Sequence, residues 1–574
     1  MKRILLVAPV LFLAASLVWG SDIVEKREKI SGDITKHPSS SALDVIVQYR
    51  HTPLSRNYEH ATKSGGAITR KMHLINAAAF HVRASALARL AADPDVVYVS
   101  PDRLLHSTAD SSQTLDYYPL AVNAQVAIGD GYVGTGIAVA VIDSGIIDIP
   151  DLHGANYRVV FSQNFVGGTS GSANDTYGHG SHVAGIIGGN GNNSTGSSYL
   201  YSFKGIAPNV NLLNFRVLDQ NGAGTDSQVI SAIQMAIQLK NKYNIRVINL
   251  SLGRPVYESY TLDPLCQAVE QAWKAGIVVV VAAGNYGRDN SVGEQGYGTI
   301  TAPGNDPYVI TAGAMKTMGT SSSADDLIAS YSSKGPTGID HVLKPDLVAP
   351  GNRMISLYTA GLALPKQFPG NEIPYSLYQT NGNSTASSTY YRLSGTSMAA
   401  AVVSGAIADL LQVQPQLTPD QIKARLMKTA SKNFPYSSST PDPSSGVTYT
   451  DYYDAFTVGA GYLDIQAALN NTDLVPVGYT ALSPSVSFDS SKQTVTFISG
   501  SSAVWGNSAV WGNSAVWGNS AMWGSSAMWG SSAVWGNSSD TGFSAVWGNS
   551  AVWGNSAVWG NSTEALSTAI NGEN

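Results

Sequence analysis

Five short apolar runs, GIAVAVID, VNLLNFRVLD, RVINLSLG, IVVVVAAG and YVITAGAM, recur through the middle of the chain, mostly with helical patterns between them. A strand that is apolar at nearly every position must be covered on both faces, and strands linked through helices run parallel. The alternation therefore predicts an α/β fold from about Asp110 to Asn471, a mostly parallel sheet with helices on both faces. Two helix starts are well marked. Thr225 stands as an N-cap with Gln228 three residues on, and Thr418 is followed by Pro419 at N1 and Gln421 at N3. A length of 574 residues leaves room for a large core and for further domains.

The flanks have their own character. Lys2 and Arg3 precede an apolar run from Ile4 to Val18 and then small residues, the layout of a secretory signal peptide cut near Gly20 or Ser21. That run is 15 residues, short of the ~18–20 that span a bilayer, and no later stretch reads as long enough either. A charged stretch, Asp22 to Ser40, leads into a small α+β unit ending near Thr108, with ALDVIVQYR, AAFHVRA and DVVYVSPDR as strands and ASALARLAA as a helix. The net charge of −6 gives no basic footprint, which argues against nucleic acid as a partner. Cys266 is the sole cysteine, so no intrachain disulfide forms, and its helical setting suits a small buried thiol.

Beyond Asn471, SVSFDSSKQTVTFIS reads as a short β-like stretch, and SAVWGN units then run from about Ser502 to Ser562. Their tryptophans, from Trp505 to Trp559, are spaced by multiples of six. A step of six scatters side chains around an α-helix but keeps them on one face of an extended chain, so a β-type hexad repeat fits better than helix. The Trp row suits either glycan or surface binding or the interior of a self-stacking coil. An aggregation-prone or disordered tail is the remaining reading.

The chemistry lies in three places. VAVIDSGI ends an apolar strand with Asp143, VVVVAAGNYG ends another with Asn285, and SGTSMAAAVVSG opens an apolar helix with Ser397. In open parallel sheets, sites form beyond the carboxyl ends of the strands. YGHGSHVAG adds His179 and His182. A zinc-protease pattern needs histidines at i and i+4 with an adjacent Glu, and this segment has neither, so the metal reading is rejected. An alcohol, an imidazole and a carboxylate instead supply the parts of nucleophilic acyl transfer.

These segments resemble the Asp, His and Ser signatures of the subtilisin family of serine endopeptidases, in that family's order. The likeness extends through GIAPNVNLLNFRVLDQNGAG, VINLSLG, ASYSSKGP, KPDLVAPG and VGAGYLDIQAAL, roughly Val133 to Leu469. It implies that Asp143 orients the base, His179 is general base and acid, and Ser397 is the nucleophile. The Asn285 amide and the Ser397 N–H would form the oxyanion hole. Ser251, Leu252 and Gly253 on one side, with Gly222, Ala223 and Gly224 on the other, would hold the substrate strand. His182 is left as a packing or hydrogen-bonding residue.

Residues 42–108 resemble the family's inhibitory propeptide, implying self-cleavage near Thr108. The implied organisation is signal 1–21, propeptide 22–108, catalytic domain 109–471, linker 472–501, Trp-rich repeat 502–562 and tail 563–574. The chemistry needs no cofactor. Calcium enters only as a structural ion, with Asp151 beside the loop GNGNNSTGSS as candidate ligand. Departures are Ala401 and Val402 where many members have Pro-His, Ser181 for a usual Thr, and Arg254 after the SLG edge. The expected function is a secreted endopeptidase acting on protein or peptide substrates. A surface adhesion or scaffold protein using the Trp repeat is the rival, and an ester hydrolase is disfavoured for want of a Gly-x-Ser-x-Gly elbow.

Overall fold

A computed structural model describes residues 29–32, 34, 38–106, 117–167, 171–289, 295–442, 445–475, 480–489, 494–498 and 573. The signal segment, Thr108 and the hexad repeat lie outside these residues.

The apolar runs form the centre of an eight-stranded sheet. Its strands are β6 (Ala138–Asp143), β7 (Val159–Asn164), β8 (Asn211–Arg216), β10 (Ile245–Leu250), β11 (Val278–Ala282), β12 (Ile310–Lys316), β13 (Leu327–Ile328) and β14 (Leu347–Pro350). The order is β13-β12-β11-β10-β6-β8-β7, with β14 also on β12, and β13 alone pairs antiparallel. The pleat sorts side chains strictly. Val139 and Val141 face a core built with α3 (His179–Gly188) and α6 (Thr396–Val413), whereas Ala138, Ala140 and Ile142 face α4 (Asp226–Tyr243) and α5 (Pro264–Lys274). Both faces are thus covered, as the uniform hydrophobicity requires.

The helix starts follow their local chemistry. The Gln228 side chain accepts from the Thr225 N–H at 2.9 Å, and Thr418 and Gln421 cap α7 (Pro419–Thr429) reciprocally at 2.9 and 3.3 Å. Helix α6 corrects one expectation: it is long and apolar enough to cross a membrane, with 18 residues at a mean hydropathy of 1.4. It is instead a core helix, buried over nearly its whole length.

The N-terminal unit holds β1 (Ala42–Tyr49), α1 (Ser55–Lys63), β2 (Ala67–Met72), β3 (Ala77–Arg83), α2 (Leu87–Ala91) and β4 (Val96–Pro101), its sheet ordered β2-β3-β1-β4 and antiparallel. One sheet face packs on α1 and α2, and the other, through Ile46, Met72, Ala77 and Ala79, joins the core beneath α4 and α5. The unit continues into β5 (Leu104–His106), which adds to β9 (Ala223–Thr225) as an antiparallel strand. Asp102 tightens this junction, its carboxylate accepting from the Ser227 N–H at 2.7 Å in the first turn of α4 and from the Ser227 hydroxyl.

Past the sheet, a hairpin of Ser485–Asp489 and Thr494–Ile498 is attached to the body. Leu343 N–H donates to Pro484 O and Val486 N–H to His341 O, both at 2.8 Å. Much farther along, Glu573 is buried in the same body. Its carboxylate meets Arg288 at 3.1 Å and Lys316 at 2.9 Å and accepts from the Ser330 N–H at 3.1 Å, while its backbone exchanges two bonds with the Asn352 side chain.

Candidate active site

Strand β6 is the turning point of the sheet: β7 and β8 lie to one side of it, β10, β11 and β12 to the other. That is where a crevice opens in an α/β sheet, and Asp143 is the last residue of β6. Its Oδ1 lies 2.7 Å from His179 Nδ1, with both side chains fully buried. Since the carboxylate accepts, the proton is assigned to Nδ1, which leaves Nε2 as the basic nitrogen.

His179 opens α3 after Gly178, whose φ of 115° suits glycine. The turn is organised by Asp175, which sequence reasoning missed. Its Oδ1 accepts from the Ser144 hydroxyl at 2.9 Å and from the N–H groups of Tyr177 and Gly178 at 2.9 and 2.8 Å. Its Oδ2 accepts from the Ser181 N–H and hydroxyl at 2.9 and 2.8 Å. Ser144 Oγ in turn accepts from Gly180 N–H at 2.9 Å, tying the strand that bears Asp143 to the helix that bears His179. Burial raises the Asp175 carboxyl above the usual range against these hydrogen bonds. An acid just ahead of a helix start was the available signal.

Ser397 sits in the first turn of α6, which packs against α3. Its hydroxyl donates to Ser251 O at 3.0 Å, and Ser251 Oγ donates back to Ser397 O at 2.8 Å. Neither His179 Nε2 nor Asp143 Oδ2 has a hydrogen-bond partner among the described residues. The structure thus joins carboxylate to imidazole, while the serine hydroxyl is held by the neighbouring strand end. Ser397, Asn285, Leu252, Gly253 and Thr396 line one small pocket. Asn285 Oδ1 accepts from the Thr396 N–H at 2.9 Å and hydroxyl at 3.0 Å, which fixes the amide plane with its nitrogen turned the other way. Gly253 is required by close packing, because a Cβ there would lie 2.5 Å from Thr301 Oγ1. The opposite edge, Gly222 to Gly224, lies largely within β9.

The second histidine has a structural place. His182 Nε2 meets the carbonyls of Met354 and Tyr391 at 3.0 and 3.1 Å, which fits an Nε2–H donor. Burial, helped by the nearby His179, pushes its pKa down to about 3. An unfolded histidine titrates near ~6.5, so below that pH the unfolded chain takes up a proton that the native state refuses. Stability from this site is complete above pH ~6.5 and is lost as pH falls toward the folded value, by roughly 3 kcal/mol between pH 7 and 4. In a Ser397→Ala background, urea unfolding at both pH values should give a smaller acid loss for His182→Gln by about that amount. Equal losses would refute this role.

Three departures are accounted for locally. Ala401 and Val402 are fully buried within an unbroken α6. Ser181 retains the hydroxyl bond to Asp175. Arg254 turns inward, forming ion pairs with Asp226 at 2.9 Å and Asp263 at 2.8 Å. Burial alone would lower its pKa, but the two carboxylates outweigh that and hold the guanidinium charged. Cys266 is buried in α5, its thiol pushed well up by burial.

The candidate calcium ligand does not fit an ion. Asp151 Oδ1 accepts from the Asn193 N–H at 2.7 Å, Oδ2 accepts from the Tyr390 hydroxyl at 2.6 Å, and the Arg158 guanidinium donates to its carbonyl at 2.9 Å. Each carboxylate oxygen already accepts from a neutral protein donor, and a guanidinium sits on the backbone carbonyl of the same residue, a setting ill suited to a cation. No cluster of three metal-ligating side chains occurs among the described residues.

Comparison with known proteins gives the family. The Subtilase family (Peptidase_S8) matches residues 134–461, more than half of the chain. The chain belongs to the subtilase family. This subtilase is 33% identical to Serine protease AprX of Bacillus subtilis over 411 residues, covering 69% of the chain and 85% of that relative. It is 31% identical to Subtilisin E of the same species over 435 residues, covering 75% and 91%. Among solved structures it resembles fervidolysin from Fervidobacterium pennivorans, a keratinolytic enzyme related to subtilisin, with a TM-score of 0.55 at 22% identity. That match covers 76% of this chain and 62% of fervidolysin, and it supports the fold alone. The subtilase is a serine protease, a hydrolase of protein or peptide substrates, on the subtilisin-like α/β fold.

Proposed function

We propose that the chain is a secreted serine endopeptidase made as a zymogen, with Asp143, His179 and Ser397 as its catalytic residues. The observation that carries this is the buried Asp143–His179 hydrogen bond of 2.7 Å at the switch point of the sheet. Rotation about the Ser397 side chain exchanges its bond to Ser251 O for one to His179 Nε2, an adjustment that substrate binding commonly completes. Ser397 Oγ then attacks the scissile carbonyl carbon as its proton passes to Nε2, and the Asp143 carboxylate stabilises the imidazolium. The Asn285 amide and the Ser397 N–H receive the oxyanion. Collapse breaks the C–N bond, the imidazolium gives its proton to the leaving amine, and water repeats the sequence on the acyl-enzyme.

The zymogen reading draws on β5. Residues 104–106 pair with the edge expected to hold substrate, and the unit preceding them packs against the catalytic domain in the manner of an inhibitory propeptide. Thr108, the proposed place of the cut, follows two residues later in the sequence. The signal-like segment 1–21 supports export. A serine-directed fluorophosphonate tests the reading: it should label the processed protein and fail to label Ser397→Ala. Labelling that survives the substitution, or absent labelling of processed wild type, overturns it.

A further inference from the structure

The guanidinium of Arg103 is enclosed by the catalytic domain. The residue precedes β5, and its carbonyl accepts from the Asp226 N–H at 3.0 Å, so the pairing of β5 with β9 continues through it. Its side chain leaves the strand and forms two parallel bonds with the Glu258 carboxylate, Nη1 to Oε1 at 2.6 Å and Nη2 to Oε2 at 2.7 Å. The Tyr257 ring lies 4.8 Å from the guanidinium carbon. Both charged side chains are about 95% buried, with exposures of 5% and 4%. A fork meeting a carboxylate edge-on beside an aromatic face is matched in shape to arginine and poorly to lysine.

Only part of this cage belongs to the N-terminal unit. Ser31 Oγ donates to Glu258 Oε2 at 2.8 Å, and the Tyr98 hydroxyl lies 3.4 Å from the same oxygen. Arg103 Nη2 also donates to Ser31 Oγ at 3.0 Å, but the carboxylate, the aromatic ring and the backbone N–H that meet Arg103, namely Glu258, Tyr257 and Asp226 N–H, lie on the catalytic side. Removing the N-terminal unit would free the Glu258 carboxylate from Arg103 and Ser31 and leave the β9 edge ready to pair with another extended chain.

We propose that Glu258 and Tyr257 form an arginine-selective subsite for substrate. It would take the side chain of the residue whose carbonyl stands opposite Asp226, one place upstream of the residue opposite Thr225. The proposal rests on the reading of β5 as a strand bound in the manner of substrate, and Arg103 is then the occupant supplied in cis. The preferred substrates are extended, unfolded segments with an arginine on the amino-terminal side of the cut. Glu258 is a specificity residue; it takes no part in the chemistry.

The test uses processed wild-type enzyme and a fluorogenic peptide of residues 99–112, with versions carrying Arg103→Lys, Arg103→Gln and Arg103→Glu. Loss of a buried, bidentate, charge-assisted pair should lower kcat/KM for the Gln peptide by about 10–100-fold, mostly through KM, with Lys intermediate and Glu worst. The Glu258→Gln enzyme should treat the Arg and Gln peptides alike. The wild-type series needs no variant to fold, so it stands if that protein fails. Equal cleavage of all four peptides by wild type would reduce the contact to a tether of the N-terminal unit and overturn the subsite. If the enzyme digests denatured protein yet cuts none of the peptides, the reading of β5 itself fails, and the subsite with it.

Discussion

Ser397→Ala should lower kcat on peptide substrates by about six orders of magnitude and leave a chain that does not process itself. That magnitude is the one known for loss of the nucleophile in subtilisin, the namesake of this family. The substitution deletes one buried oxygen whose sole described bond is to Ser251 O, so the fold should be retained. The loss should therefore appear in turnover, with urea unfolding close to that of the unprocessed wild type. Intact-mass measurement checks the second half: wild type should lose its N-terminal unit near Thr108, and the variant should keep it. Processing by the variant alone would mean that another group, or another enzyme, makes the cut.

Asp143→Asn should cost about four orders of magnitude in kcat. The isosteric amide can turn its nitrogen toward His179 Nδ1, and it would then donate where the carboxylate accepted. The imidazole proton would move to Nε2, the atom that must be bare to receive the proton of Ser397. The carboxylate also accepts from the Ser144 N–H at 2.7 Å, a bond the amide oxygen can retain only in one orientation. Near-native unfolding in urea alongside the collapse of kcat is the expected pairing. A loss under tenfold would remove Asp143 from the catalytic group.

Legibility in the sequence divides by range. Strands β6, β8, β10, β11 and β12 could be read because each is a local apolar run, Asp143 and Asn285 because each ends or follows such a run, and Ser397 because it opens an apolar helix. Helix α1 and strand β2 went unread: α1 buries only Asn57 and Ala61, and β2 is exposed along most of its length. Strand β2 is placed by its pairing with β3 rather than by hydrophobic content. The partners of Arg254 were also hidden. Asp226 lies 28 positions before it and Asp263 nine after, and only the meeting of α4 and α5 brings them together. Asp151 was legible only as an acid beside an oxygen-rich loop, and its donors Tyr390 and Asn193 come from distant parts of the chain.

Glu573 gives the tryptophan array an unusual mechanical setting. The hairpin strand starting at Ser485 is fastened to the catalytic body through Val486, and Glu573 is sunk into that same body between Arg288 and Lys316. In the sequence, all nine SAVWGN-type units fall between these two attachments. A single cut between them would leave a piece held to the same body on either side.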